Sequence, residues 1–343
     1  MKVKIYGATG SFPRCIRNEE LAEKIYHYQK KINENQNFNN FLKLAGIDIS
    51  FDETGMIPFE IFKKFLYDNF DFWIGRTYGG DTSSIYIKTD DEKYLIFDAG
   101  SGLIKLSKDI LNESGFKDNI QEVNIFLTHF HWDHIHGIPF SGLIFTQNKI
   151  NFYSMPAPGY SLKSILEDQM NKFNFPIPLN FYNKKISYTE IEDRIIIGEC
   201  TEIVPYKMEH PLVGSYVYRV NNLKTGKSVV YATDFEQPPD KLDELLIEIC
   251  RDADTLIIDT HFTPGESFNF KGWGHGNFGN AVDLARLAKV KHLILFHHNF
   301  NKTDKELFET EVNVRGYLAL SKDSFQDMNL QISVAYEGLE IEL

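Results

Sequence analysis

The segment VNIFLTHFHWDHIHG constrains this chain more than any other. It reads as a strand, Val123–Leu127, that empties through Thr128 into His129, His131, Asp133 and His134. Three imidazoles and a carboxylate within six residues are costly beside Trp132 and an apolar strand unless something binds them. Imidazole nitrogen with carboxylate oxygen suits Zn²⁺, Mn²⁺ or iron. Alternation aims His129 and His131 one way, and the turn that follows can present Asp133 and His134 to a second metal. One loop cannot fill two coordination spheres, so other strand ends must contribute. His210 stands in YKMEHP after the run Thr201–Tyr206, Asp234 in YATD after Ser228–Ala232, and His297 in LILFHH after His292–Phe296.

The rest of the chain supplies a scaffold for such an edge. Short β-branched and aromatic runs read as strands at Lys2–Tyr6, Ser84–Lys88, Tyr94–Asp98, Val123–Leu127 and Ile150–Tyr153. A second series covers Arg194–Ile197, Ser215–Val220, Ser228–Ala232, Thr255–Asp259, His292–Phe296 and Gln331–Tyr336, with NNLKTGK closing a hairpin between its second and third members. Helical patterns at Ala281–Ala288 and from Thr303, where Thr303 and Glu306 have capping-box spacing, complete a layered α/β protein with two stacked sheets. Residues 18–72 differ. Leu21, Ile25, Tyr28 and Ile32, and again Phe59, Phe62, Leu66 and Phe70, fall at helical spacing around the polar stretch NENQNFNN, so this segment reads as a helical insertion. Its two stripes are expected to form a cap, a dimer surface or a pair packed on the outer sheet. Within it, the loop at residues 50–62, SFDETGMIPFEIF, is spaced like an EF-hand. Ser50 and Ile61 stand where calcium needs carboxylates, so a plain turn is expected.

Composition narrows the partners. Lys+Arg is 36 against Asp+Glu 48, a formal charge of −12, which disfavours nonspecific attraction to nucleic acid or an anionic membrane. Cys15, Cys200 and Cys250 form no CxxC pair and suggest reduced thiols in the cytoplasm. The start MKVKIYGATGS has no apolar core and no run of 18 apolar residues occurs, so neither a signal peptide nor a membrane span is expected.

HFHWDH followed in order by His210, Asp234 and His297 resembles the metallo-β-lactamase fold in its binuclear phosphodiesterase branch. The resemblance spans nearly all the chain outside the insertion. It implies an αββα sandwich with metals at one edge between the sheets, as a single domain over residues 1–343. It implies that His129, His131 and His210 hold one metal, that Asp133, His134 and His297 hold the other, and that Asp234 bridges. Two divalent ions are implied, Zn²⁺ first and Mn²⁺ second, along with a homodimer. FDAGSGL matches the family's first motif, in which Asp98 would support the ligands from behind. The segment KGWGHGNFGNAVDLARLAKVKHLILFHH is similar to the C-terminal motif of the tRNA 3′-processing endonucleases (RNase Z), the PhnP-type cyclic-phosphate phosphodiesterases and related cyclic-nucleotide phosphodiesterases. The His that meets the scissile phosphate there corresponds to His275, although Gly276-Asn277 replaces the commoner Ser-Thr after it.

The chemistry is self-consistent. Two cations about 3.5–4 Å apart lower the pKa of a shared water and clamp a phosphoryl group. Asp133 can orient the resulting hydroxide, and His275 can stabilise or protonate the leaving oxygen. Asp259 and His261 also lie near a strand end and are candidates for site proximity, while His136 reads as structural and His298 as a supporting or solvent-facing residue. TYGGDTSS matches a family segment near the metal edge, and Arg14 and Arg76 flank the insertion where they could face a phosphate. Phe173, Phe175, Phe181 and Tyr182 could stack on a base or anchor a loop. A small cyclic nucleotide is the expected substrate. An RNase Z-like nuclease is the alternative, because the 23 residues between His210 and Asp234 are taken up by the hairpin and leave no long arm for tRNA. A lactone or thioester hydrolase on the same metals is a further alternative.

Overall fold

Runs of Ile, Val, Tyr and Phe only five or six residues long must pair and then stack to leave water. The protein does this in two seven-stranded sheets, seen in a computed structural model that describes residues 1–34, 43, 57–113, 122–179, 181, 185–211, 214–237, 242–320 and 330–343. The first sheet runs, edge to edge, Glu340–Glu342, Lys2–Gly7, Ser84–Lys88, Tyr94–Phe97, Glu122–Phe126, Lys149–Ser154, Ile186–Glu190. The second runs Gln331–Val334, His292–Phe296, Thr255–Asp259, Ser228–Ala232, Ser215–Asn222, Thr201–Met208, Ile195–Ile197. Tyr94–Phe97, Glu122–Phe126 and Lys149–Ser154 are parallel, as are Ser228–Ala232, Thr255–Asp259 and His292–Phe296. Parallel strands end on one side of their sheet, and this is what gathers the loops after them along one edge.

Between the sheets, Val3, Ile85, Phe97 and Phe126 meet Tyr218, Tyr231, Ile257 and Phe296. Phe126 stacks on Phe97 and Tyr153 with ring centroids 5.1 and 4.6 Å apart; each such pair adds about 0.5–1.5 kcal/mol beyond the area it buries. Helices Gly102–Asn112 and Leu162–Gln169 cover the outside of the first sheet, using Leu103, Leu106, Ile110, Leu162 and Leu166. Glu244–Cys250, Phe278–Leu287 and Asp304–Leu320 cover the second. The order of layers is αββα. Thr303 and Glu306 form the expected cap, each accepting the other's backbone N–H at 3.3 and 2.7 Å. The sequence pattern missed the strands Ile186–Glu190 and Glu340–Glu342, edge or near-edge elements whose residues are half-exposed and lack a clean alternation.

The insertion forms helices Asn18–Glu34, Phe59–Asn69 and Phe72–Gly75. Its apolar stripes are only half used. Tyr28, Ile32, Phe62 and Leu66 gather around Phe65 and Phe70, whereas Leu21, Ile25 and Phe59 remain exposed. The face of the first helix that turns inward carries Glu20 and Lys24 instead. Glu20 takes a bidentate bond from Arg14, and Lys24 donates to Asp304 at 2.6 Å and to the carbonyl of Arg76 at 2.7 Å. Charge pairing therefore outranks the hydrophobic stripe at the root of the insertion. Phe72 then packs against Tyr78 and Tyr336 in the outer core of the second sheet. Residues 50–56 of the EF-hand-like loop, residues 35–40 of NENQNFNN, and Tyr182 lie outside the described residues.

Candidate metal centre

Most of the expected ligands stand where strands end. Asp98, Asp234 and His297 each take the left-handed conformation just after a strand, with φ of 60°, 57° and 59°. The turn swings their side chains across the edge between the sheets, at a cost of roughly 1–2 kcal/mol for each non-glycine residue.

His129, His131 and His210 form one group, its ring nitrogens all within 4.8 Å of one another. The Nδ1–H of His210 donates to the carbonyl of Gly274 at 3.2 Å, which leaves Nε2 as a bare lone pair 3.2 Å from Nδ1 of His131. Nδ1 of His129 is engaged with the Thr128 hydroxyl at 3.1 Å, while its Nε2 is buried with no hydrogen-bond partner among the described residues. Burial, reinforced by the neighbouring imidazoles, pushes His129 well below its usual value and His210 down to about 4. Neutral lone pairs converging at the wall of a cleft are a metal site in waiting.

Asp133, His134, Asp234 and His297 form the second group. Nε2 of His134 lies 3.1 Å from both Asp133 and Asp234, and Nε2 of His297 lies 3.2 and 3.3 Å from the same two carboxylates. Burial opposes charge on these imidazoles, but the carboxylates overcome it: Asp133 and Asp234 hold His134 well above its usual value, and Asp234 and Asp259 hold His297 up at about 10. Burial likewise opposes the charge on Asp133 and Asp234, but His134 and His297 hold both carboxylates far below their usual range. The protons on His134 and His297 supply the positive charge that these carboxylates demand, and a divalent cation would displace them. Asp234 also comes within 3.9 Å of His129, so it touches both groups. The two groups together fit divalent metal ions.

A second layer fixes the ligands. Asp98 accepts from Nδ1 of His134 at 2.8 Å, from the Thr128 N–H and hydroxyl, and from the Tyr231 hydroxyl at 2.8 Å. Asp133 accepts the backbone N–H of Ser11 at 2.7 Å. Gly10 lies so close to His297 that a Cβ would sit 2.3 Å from its ring. Glu236 accepts the N–H groups of Gly272 and Gly274, and so holds the loop whose carbonyl orients His210. Ser11, Gly10 and Glu236 carry no motif, and sequence reasoning missed them.

His275 closes the arrangement. Its Nδ1 lies 2.9 Å from Asp259, a carboxylate held low by His275 and His297 against the opposing effect of burial. Nδ1–H therefore donates to Asp259 and Nε2 is left for the cleft, which is lined by Ser11, Phe130, His131, Trp132, Asp133, Asp234 and His275. His261 stacks on His275 with centroids 4.4 Å apart, and its Nδ1 donates to the carbonyl of His297 at 3.1 Å. Asp259 and His261 thus both lie at the site. His136 bonds back to the Trp132 carbonyl. His298 is buried and donates to the carbonyl of Ala335, so it is not solvent-facing. The two arginines do not face a phosphate: Arg14 is buried against Glu20 and Asp304, and Arg76 lies over the ring of Tyr67. In TYGGDTSS, Glu337 accepts the N–H groups of Gly80 and Asp81, and Ser101 donates to Asp81, which bolts this loop to the sheet edge. Phe175 packs into the outer core, while Phe173 and Phe181 are exposed. No helix among the described residues is long and apolar enough to cross a membrane.

Residues 93–298 match the family model described as a beta-lactamase superfamily domain. Ribonuclease Z of Thermoplasma acidophilum is 28% identical over an alignment covering 67% of this chain and 90% of that protein. Zn²⁺-bound PqqB from Methylobacterium extorquens superposes with a TM-score of 0.60 at 15% identity, covering 100% of both chains. A diphosphatase from the PhnP family superposes with a TM-score of 0.54 at 14% identity, covering 100% of this chain and 97% of that one.

Proposed function

Because this chain belongs to the metallo-β-lactamase superfamily of hydrolases, we propose that it is a two-metal phosphodiesterase acting on a small cyclic nucleotide or cyclic phosphate. In this reading His129, His131 and His210 hold one divalent ion, Asp133, His134 and His297 hold the other, and Asp234 lies between them. Zn²⁺ is the first choice of metal and Mn²⁺ the second. When bound, such a pair supplies Lewis acidity and an activated water at neutral pH. The protein's own groups do the rest. Asp133, steadied by the Ser11 N–H, orients the attacking water. His275 faces the cleft through Nε2; with Nδ1–H held by Asp259, a second proton taken from solvent at Nε2 is the one passed to the leaving alkoxide, and Asp259 stabilises that imidazolium and keeps the ring's orientation. The pairing of His275 with Asp259 at the cleft wall carries this reading, because it sets a proton donor beside the place where a leaving alkoxide would form. Residues 1–343 form one catalytic domain, with 18–72 an insertion braced against its outer layer. A homodimer and a cytoplasmic setting accompany the proposal.

The small-substrate choice is supported by the net charge of −12 and by the hairpin Ser215–Asn222 and Ser228–Ala232, which takes up the chain between His210 and Asp234. The similarity to ribonuclease Z favours a second reading, cleavage of a tRNA precursor, and weighs against dismissing nucleic acid as a partner. Turnover of the metal-loaded protein on 3′,5′- and 2′,3′-cyclic nucleotides, a generic phosphodiester, a lactone and a tRNA precursor separates these readings. Cyclic-nucleotide cleavage that falls about 10²–10⁴-fold in His275→Ala is the expected result. Cleavage of the tRNA precursor alone would establish the second reading, and activity on the lactone alone would remove both.

A further inference from the structure

We propose that Arg14 is a positioning residue for the metal centre: anchored by Glu20 and Asp304 at the root of the insertion, it holds the strained turn at Ser11 whose N–H meets Asp133. This rests on the reading of Asp133 as a metal ligand and on no choice of substrate. Ser11 is the central residue of a three-residue turn. The Phe12 N–H donates to the carbonyl of Gly10 at 2.8 Å, and Ser11 itself has a φ of 65°. A turn this tight with a non-glycine residue in that region is rare and strained, and it persists only where its surroundings over-determine it. The turn carries the Ser11 N–H to Oδ2 of Asp133, 2.7 Å away. The same oxygen lies 3.1 Å from Nε2 of His134 and 3.2 Å from Nε2 of His297. A relaxed turn would withdraw the donor that fixes an oxygen shared with two other ligands.

The turn is held from both sides. Upstream, Thr9 and Gly10 pair with His298 and Asn299, and the Thr9 N–H donates to the carbonyl of Asp81 at 3.0 Å. Downstream, Ser11 is exposed, Phe12 is 64% exposed and meets Phe300 edge-on, and Cys15, Ile16 and Arg17 are exposed again. Between them Arg14 ties the chain back to the protein. Its N–H donates to the carbonyl of Gly80 at 2.7 Å. Its guanidinium, only 7% exposed, makes a bidentate pair with Glu20 and meets Asp304 at 3.1 Å. Those carboxylates are fixed in turn. Glu20 accepts the Asp304 N–H at 2.8 Å, and Asp304 accepts from Lys24 at 2.6 Å and from the Tyr78 N–H at 3.2 Å. Two positive and two negative groups thus close a buried cluster that joins the insertion, the loop around Tyr78 and the helix Asp304–Leu320. A planar guanidinium fork sets direction as well as distance. Arg14 therefore fixes where the downstream end of the turn lies, and by this route the insertion bears on the metal centre.

The test replaces the pair together, Arg14→Met with Glu20→Gln in the full chain, so that Lys24 and Asp304 remain a neutral pair and no lone charge is buried. Amide hydrogen exchange at Ser11 should rise at least about tenfold, while the amides of Val229, Val230 and Tyr231 in the second sheet keep their wild-type protection. Zn²⁺ affinity, read by chelator competition, should fall about 10–100-fold. Adding Ser11→Gly should recover roughly tenfold of that affinity, because glycine takes a positive φ without the steric cost and the turn then needs less bracing. A role confined to stability would lower the melting temperature and leave both Ser11 exchange and Zn²⁺ affinity as they were. Arg14→Lys keeps the charge and loses the fork, so it should move both readouts the same way by a smaller factor, and it carries the test if the double variant does not fold. Unchanged Ser11 exchange, exchange that rises equally at Ser11 and in the second sheet, or a Zn²⁺ loss that Ser11→Gly leaves in place overturns the proposal. A wild-type chain that binds no Zn²⁺ fails at the metal reading, whereas Zn²⁺ binding indifferent to these variants fails at Arg14 alone.

Discussion

The two sheets deliver their side chains to the site by different means. The first sheet places His129, His131, Asp133 and His134 on a single loop after Glu122–Phe126, and one buried carboxylate, Asp98, braces that loop through Thr128 and His134. The second sheet gives one residue per strand end: His210, Asp234, Asp259 and His297 follow or close four different strands. The loop is a unit whose members move together. The strand ends come from separate strands, and each has a support of its own beside the contacts that Asp234 and Asp259 make with His297: Gly274 for His210, Gly10 against His297, His275 for Asp259. Damage to the first arrangement is therefore collective, and damage to the second is local unless the residue touches both ligand groups.

Asp234 is that exception, and its loss is expected to have the largest effect. Asp234→Ala should lower bound metal, measured by elemental analysis against wild type, by at least one ion per chain, with turnover lost. A variant that keeps the wild-type metal content would show that the strand ends are more independent than the geometry implies. Asp98→Asn tests the loop as a unit. Weakening of metal affinity by about 10–100-fold in chelator competition is expected, because the change disturbs a partner lying behind the ligands. Loss confined to one ion would break the claim that the loop moves together. The smallest effect belongs at the opposite end of a second-sheet strand, where Asp254 meets Lys291 at 2.8 Å, Lys227 at 3.1 Å and the Ser228 N–H at 2.9 Å. Burial raises its pKa, but these partners outweigh burial and depress it. Its contribution is then present above the ordinary carboxylate range and disappears as pH falls through the folded-state value. Asp254→Asn should cost under about 1 kcal/mol at neutral pH, given two solvent-screened lysines. Chemical denaturation should show the gap from wild type closing in acid, and a gap that widens there would contradict the pairing.

The same contrast explains what could be read from the sequence. The loop ligands are contiguous, so HFHWDH announced itself. His210, Asp234 and His297 were legible because each follows a recognisable strand, and the strands were legible because their cores are Val, Ile, Tyr and Phe. Ser11, Gly10 and the Gly274 carbonyl act through backbone atoms or through the lack of a side chain, and nothing in their identity records which distant residue they meet. The buried role of Glu20 and Lys24 carried no signal for another reason. A charged residue on a helix ordinarily reads as solvent-facing, and only the approach of Arg14 and Asp304 from remote parts of the chain makes the charged face the buried one.

The left-handed residues at the strand ends set a limit on stabilising this protein. Glycine at 98, 234 or 297 would relieve the backbone and, by that criterion alone, improve the fold. It would also delete a side chain that the site needs. A search that selects only for thermal resistance is thus drawn toward these positions, and its most stable products are expected to be inert. Stability and activity compete at three identified residues, so any effort to harden the enzyme should hold those three constant and look elsewhere.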